Sequence, residues 1–141
     1  MNVITIEISG TPIAKPRPRG ARTKSGKIIF YTPTKGKRFE NIVREHAEKK
    51  CKQPVSCAIK MTILFLMPRP QRLIWKTRPM PRMPCDKKPD YDNLAKSATD
   101  GLNGVAFYDD AQITDCHIRK RYHAGDEGPK TIITLEEDLG E

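Results

Sequence analysis

The stretch KPDYDNLAKSATDGLNGVAFYDD, from Lys88 to Asp110, gathers five aspartates, Asp90, Asp92, Asp100, Asp109 and Asp110, around Lys96. Carboxylates brought together repel one another. Either their pKa values rise or a cation sits between them. If Asp90, Asp92 and Asp110 converge, their hard oxygens with open positions suit Mg²⁺ or Mn²⁺. Such an ion polarises a phosphodiester oxygen and supplies a hydroxide-like water. Lys96, one helical turn from Asp92, is able to hold a non-bridging phosphate oxygen, or to orient or exchange a proton with the attacking water. Plainer roles stand beside these. Asp92 serves as a helix cap, Lys96 as its i,i+4 partner, and Asp109-Asp110 as a turn.

The elements around these residues decide whether they meet. Asp is a good N-cap, and KPDYD before it reads as extended, so a helix is predicted to start at Asp92. On that helix Leu94, Ala95, Ala98 and Leu102 form a stripe for the core, with Asp92, Lys96, Thr99, Asp100 and Asn103 roughly opposite. Asp90 and Asp92, two apart on extended chain, would point the same way. LNG ends the helix, with Gly104 in the left-handed position. Asp110 returns to Asp90 and Asp92 if the next strand, Ile113 to Tyr122, packs beside the helix start.

Upstream, Ile4, Ile6 and Ile8 alternate with polar residues as in a half-buried strand. Residues 10–32 are basic and rich in Pro and Gly, with Lys15, Arg17 and Arg19 leading, and KSGKIIFY suits a hairpin at Ser25-Gly26. A helix is predicted after Thr34, with Phe39, Ile42, Val43 and His46 on one side and Lys35, Lys37 and Arg38 at its electrostatically unfavourable start. Every second residue from Val55 to Met67 is apolar, which predicts a strand. Leu64 and Leu66 make its far end apolar on both faces, so a helix should cover that side. Residues 68–89 hold six of the twelve prolines and seven cations, Lys87 and Lys88 among them, and read as a long loop. TIITLEE is a last strand. The chain therefore reads as one mixed α/β domain over residues 1–141, with a mixed sheet packed by two helices.

Charge is divided unevenly. Residues 1–88 carry 21 Lys/Arg and 5 Asp/Glu, a net of +16, while residues 89–141 carry 5 and 12, a net of −7. A basic half points to a polyanion, most often nucleic acid; a solvated basic surface is the plainer reading. Acidic metal ligands inside a basic surround suit an enzyme that draws in a nucleic acid and cuts it. Cys51, Cys57, Cys85 and Cys116 form no C-x-x-C pair, and the three histidines add no ligand spacing, so they read as thiols rather than a zinc site or disulfides. No apolar run is long enough to span a bilayer, and MNVITIEISG lacks the pattern of a signal peptide, so a cytoplasmic protein is expected.

The run DYDNLAK, DGLNG and DDAQI, with GTPIAKPRPR near the N-terminus, closely resembles the signature of the RusA family of Holliday-junction resolvases. The resemblance spans about Ile4 to Tyr122. It implies a small Mg²⁺-dependent endodeoxyribonuclease of α/β fold, often carried by phages and prophages, acting as a homodimer on four-way DNA junctions. It carries the catalytic and metal-binding acids over to Asp90, Asp92 and Asp110, and the catalytic lysine to Lys96. Asp100 and Asp109 match further acidic positions, and Asp100 at i+4 would hold Lys96. Lys15, Arg17, Arg19, Lys87 and Lys88 are expected to bind backbone phosphates. No aromatic precedes Asp90 directly, so a wedge into the junction would fall to Tyr91 or Trp75, for both of which packing is the plainer role. Two rival readings stand: a non-catalytic DNA-binding or phage-regulatory protein, and a nuclease for other branched DNA.

Overall fold

The computed structural model describes residues 1–15, 19–31 and 34–141. Strands β1 (Ile4–Ser9), β4 (Ile59–Met67), β5 (Met83–Pro84), β6 (Ile113–Tyr122) and β7 (Lys130–Glu137) form a sheet in the order β1-β7-β4-β6-β5, while β2 (Arg19–Arg22) and β3 (Ile28–Tyr31) form a separate hairpin. Helix α1 (Thr34–Lys50) follows the hairpin, and α2 (Tyr91–Leu102) lies between β5 and β6. This is the expected small α+β domain with a mixed sheet. Among the described strand pairs of the sheet, only β4–β6 is parallel. Parallel neighbours need a crossover, and here residues 68–112 supply it, carrying both the basic loop and the acidic helix.

The period-two pattern explains the core. Ile59, Met61, Ile63, Phe65 and Met67 of β4 join Ile6 and Ile8 of β1 and Ile133 and Leu135 of β7 on one face. Phe39, Val43 and Ala47 of α1 and Leu94, Ala98 and Leu102 of α2 complete the same cluster. Ile42 and His46 are only half-buried, and the His46 ring bonds the Ile42 carbonyl instead, 2.9 Å away. The helix expected over Leu64 and Leu66 is not found among the described residues. Both helices serve the other face, Leu64 stays half-buried, and Leu66 is buried outside the cluster.

The two helices cross closely. A Cβ on Gly101 would lie 2.7 Å from Val43 Cβ and 2.8 Å from the Glu40 carbonyl oxygen, so only glycine fits this crossing. Arg44 of α1 donates to the Asp100 and Asn103 carbonyls, both at 3.0 Å, and satisfies the end of α2. Gly104, at φ +81°, makes the left-handed exit read from LNG.

Two boundaries differ from expectation. The central strand begins at Ile59, not Val55. Gln112 Nε2 donates to the carbonyls of Val55 (2.9 Å) and Cys57 (3.0 Å), which takes those groups out of a ladder. The acidic helix begins at Tyr91 with Asp90 as N-cap, so Asp92 lies within its first turn. The long basic loop is also better held than its composition suggests. It contains a 3-10 turn at Gln71–Leu73 and the β5 pairing. Arg69 donates to the carbonyls of Leu73 (2.7 Å), Pro81 (2.8 Å) and His123 (2.8 Å).

Candidate active site

Helix α2 sets the first half of the site. Asp90 has extended dihedrals, and its carbonyl accepts the Leu94 N–H at 3.1 Å, but its side chain makes no capping bond. Asp92 Oδ1 accepts the Asn93 N–H at 2.9 Å. A carboxylate in the first turn faces the positive end of the helix dipole, a favourable place for it. Lys96 and Asp100 follow at successive four-residue steps, on the same side of the helix as Asp92. Lys96 Nζ lies 3.1 Å from Asp100 Oδ1 and 3.8 Å from Asp110 Oδ2.

A 3-10 turn at Asp110–Gln112 sets the second half. Asp109 caps it, accepting the Ala111 N–H at 3.4 Å, while Gln112 Oε1 accepts the N–H groups of Tyr108 (2.9 Å) and Asp109 (3.0 Å). With its other end bonded to Val55 and Cys57, Gln112 ties the Asp110 turn to the approach to β4. Gln112 stands in the DDAQI run, yet its framing role was missed. Its two bonds to Tyr108 and Asp109 follow the local D-x-x-Q spacing of a capping box, whereas its two bonds to Val55 and Cys57, 57 and 55 positions away, leave no local pattern.

Asp92, Lys96 and Asp110 line one pocket of about 360 Å³, together with Tyr91, Ala95, Thr99, Met61, Ile113, Cys116 and Ile118. It lies against β6, which among the described residues has an outer neighbour only at Arg121 and Tyr122, where β5 pairs. Asp90 is not among the lining residues. With the helix starting at Tyr91, Asp90 and Asp92 no longer share an extended segment, so the expected common direction is lost. Among the described residues no three His, Cys, Asp or Glu side chains are grouped closely enough to hold one ion. The pocket thus brings together two of the three expected carboxylates and the lysine.

Among the lining side chains the two carboxylates offer hard oxygens. Desolvation, with help from the Asp115 carboxylate, pushes the Cys116 thiol up, so it stays protonated at neutral pH and is a poor ligand. That leaves the oxygens of Asp92 and Asp110. Asp100 is engaged otherwise. Burial works to raise its pKa, but hydrogen bonds from Lys15 and Lys96 outweigh it and hold the carboxyl below the usual range.

The expected phosphate-binding residues fall into distinct situations. Lys15 Nζ bonds Glu40 and lies 3.0 Å from Asp100 Oδ2. Lys87 and Lys88 are exposed and line a second pocket of about 510 Å³ with Arg72, Pro68, Pro70 and Tyr122. Lys120, unremarked in the sequence, donates to the Lys87 and Pro89 carbonyls at 2.5 and 2.7 Å and so holds the segment leading to Asp90. Arg17 and the side chain of Arg19 lie outside the described residues. Of the two aromatic wedge candidates, Trp75 has the Arg78 guanidinium 3.8 Å and that of Arg69 5.1 Å from its ring centre. Tyr91 is 62% exposed beside the acidic pocket.

Fold and site together define a small α+β domain with an acidic pocket between a helix and an open strand, flanked by basic segments. The chain belongs to the endodeoxyribonuclease RusA family, whose sequence profile matches residues 9–136. It is also similar to the uncharacterized protein YqaN of Bacillus subtilis (strain 168), at 27% identity over 143 residues covering 97% of this chain and 98% of the relative. Family membership makes this chain a candidate DNA endonuclease of the junction-resolving kind. No helix among the described residues is long and apolar enough to cross a membrane.

Proposed function

We propose that the protein is a Mg²⁺-dependent endonuclease that resolves four-way DNA junctions by paired symmetric nicks, in recombination and repair, in a phage or prophage setting. The observation that carries the reading is the shared pocket of Asp92, Lys96 and Asp110 in a chain of this family. Asp92 and Asp110 would hold the cation, Mg²⁺ or Mn²⁺, and Asp90, which lies outside the pocket lining, would have to turn in from the helix mouth to add a third oxygen. A divalent ion bound there supplies charge stabilisation at the phosphodiester and a more acidic water. Lys96 donates to a non-bridging phosphate oxygen, and Asp100 keeps its ammonium from swinging away. Asp109 supports Asp110 through the capped turn. Arg17, Arg19, Lys87 and Lys88 neutralise backbone phosphates, which makes binding fall steeply with salt. Two nicks related by a two-fold axis require two such pockets, hence a homodimer.

The test is a synthetic four-way junction incubated with the protein and Mg²⁺, with both incisions mapped. Asp92→Asn should cut at least about a thousandfold more slowly, as expected when a group acting within a catalytic unit is lost, while binding persists. Full activity in that variant removes the mechanism. Binding without nicking at any Mg²⁺ concentration, with EDTA making no difference, would show a DNA-binding protein instead. Equal cutting of forks and junctions would widen the substrate to branched DNA in general.

A further inference from the structure

Lys15 opens the basic segment, and its charge alone assigns it to phosphate. Its surroundings assign it elsewhere. The ammonium bonds Glu40 of α1 and lies 3.0 Å from Asp100 Oδ2 of α2, while its backbone N–H donates to the Asn93 carbonyl at 2.9 Å. Glu40 is only 7% exposed, and its other oxygen sits 3.5 Å from Lys37 Nζ. The Asp100 oxygen that does not face Lys15 is the one 3.1 Å from Lys96. Charges of alternating sign therefore run without a gap from the helix crossing to the pocket: Glu40, Lys15, Asp100, Lys96, Asp110.

We propose that Lys15 is a positioning residue of the active site rather than a DNA contact. Held by Glu40, it occupies one oxygen of Asp100, so that Lys96 is confined to the other and stays within reach of Asp110. The proposal rests on reading the pocket as a nuclease site. Its physical basis is the cost of the alternative. Moving the Lys15 ammonium out to a phosphate would leave Glu40, nearly buried, with only Lys37 among the described residues, a side chain 64% exposed. A buried carboxylate stripped of its partner is strongly destabilising. Removing Lys15 would also free the second Asp100 oxygen, and Lys96 would then shift toward Asp100 and away from Asp110. The frame is stiff enough to pass this on. Gly101 closes the helix crossing, and Arg44 binds the Asp100 carbonyl from α1. The Lys15 N–H, bonded to the Asn93 carbonyl, joins the start of the basic segment to the helix that carries Asp92.

The experiment compares Lys15→Met and Lys88→Met in three measurements. These are cleavage rate at saturating junction, junction affinity across a range of salt, and ¹H–¹⁵N spectra of the lysine ammonium groups. A positioning role predicts that K15M lowers the saturated rate by about tenfold to a hundredfold, the scale of an ångström-sized misplacement. Its affinity and salt slope should stay as in the wild type, and the Lys96 ammonium signal should move. K88M should instead reduce the salt slope by about one and leave that signal in place. Lys15→Arg, which keeps the charge between Glu40 and Asp100, should recover most of the lost rate. A K15M protein with an unchanged saturated rate and a salt slope reduced by one would make Lys15 a phosphate contact and overturn the inference. So would an unmoved Lys96 signal, a result that can be read even if the wild type cuts no DNA; in that event the nuclease reading fails by itself. If K15M does not fold, Asp100→Asn must move the Lys96 signal, and its failure to do so overturns the inference equally.

Discussion

The turn at Asp110 and the loop before Asp90 solve the same problem with different chemistry. Both are irregular segments, and carbonyls in or beside them need donors where the chain lies against the sheet. At the Asp110 turn the donor is a neutral amide, Gln112, which bonds Val55 and Cys57. In the proline-rich loop the donors are cations. Arg69 binds three carbonyls, Lys120 binds two, and Arg82 pairs with Glu127. The difference bears directly on charge. Near the acids, a neutral frame leaves Lys96 and Lys15 to face carboxylates. In the basic loop, part of the positive charge counted in the sequence is already used by the fold. A basic composition thus overstates the number of cations open to DNA.

Arg69→Met separates the two uses of charge most sharply. The side chain is 7% exposed and its donors serve three carbonyls. Charged hydrogen bonds contribute about 1.5–3 kcal/mol each, not additively, so a loss of about 3 kcal/mol of stability is expected in denaturant unfolding. If Arg69 were a DNA contact, stability would hold and affinity would fall. Gln112→Ala makes the matching change at the acidic turn. It should cost about 1–2 kcal/mol of stability. It should also slow junction cleavage by about tenfold or more, because the turn that carries Asp110 loses its tie to the approach to β4. A stability loss with cleavage intact would show that the frame serves the fold alone.

Local periodicity made most of the fold legible. The strands at β1, β6 and β7 and the Leu94, Ala98, Leu102 stripe follow from alternation and helical spacing alone, because side-chain direction repeats with the backbone. Errors arose where a residue distant in sequence intervened. Val55 and Cys57 continue the alternation into β4, but Gln112 takes their carbonyls and the strand starts at Ile59. Asp90 and Asp92 are equally good caps, so spacing did not decide between them, and the choice changes which acids share a direction. The return of Asp110 to Asp90 and Asp92 could be written only as a condition on where the next strand packs, and the structure brings it to a pocket with Asp92 and Lys96. Lys15 was out of reach altogether. Its partners Glu40 and Asp100 lie 25 and 85 positions away, and nothing in a basic run separates a lysine held by two carboxylates from one that is free.

The smallest effect concerns Glu127, where the basic loop is fastened to the turn between β6 and β7. Arg82 donates to both carboxylate oxygens at 2.8 Å, and the Ala124 N–H adds a bond at 2.7 Å. The Arg82 hydrogen bonds lead in bringing the carboxyl down to about 2, against an opposing push from burial and with help from Ala124 and Lys130. A depressed folded pKa stabilises the protein above the ordinary value of 4.5, and that gain is lost as pH falls through about 2. Arg82 is 42% exposed, so solvent screens the pair and its worth is about 1 kcal/mol. Glu127→Gln should therefore unfold more easily than the wild type at pH 7. The gap should narrow below pH 4.5 and vanish near pH 2, as followed by urea unfolding across that range. Cleavage and salt slope should be unchanged, since neither Arg82 nor Glu127 lines the acidic pocket. A salt slope that rises in E127Q would mean that Arg82, once released, reaches DNA. The basic loop would then hold cations in reserve, and its difference from the acidic turn would be one of degree.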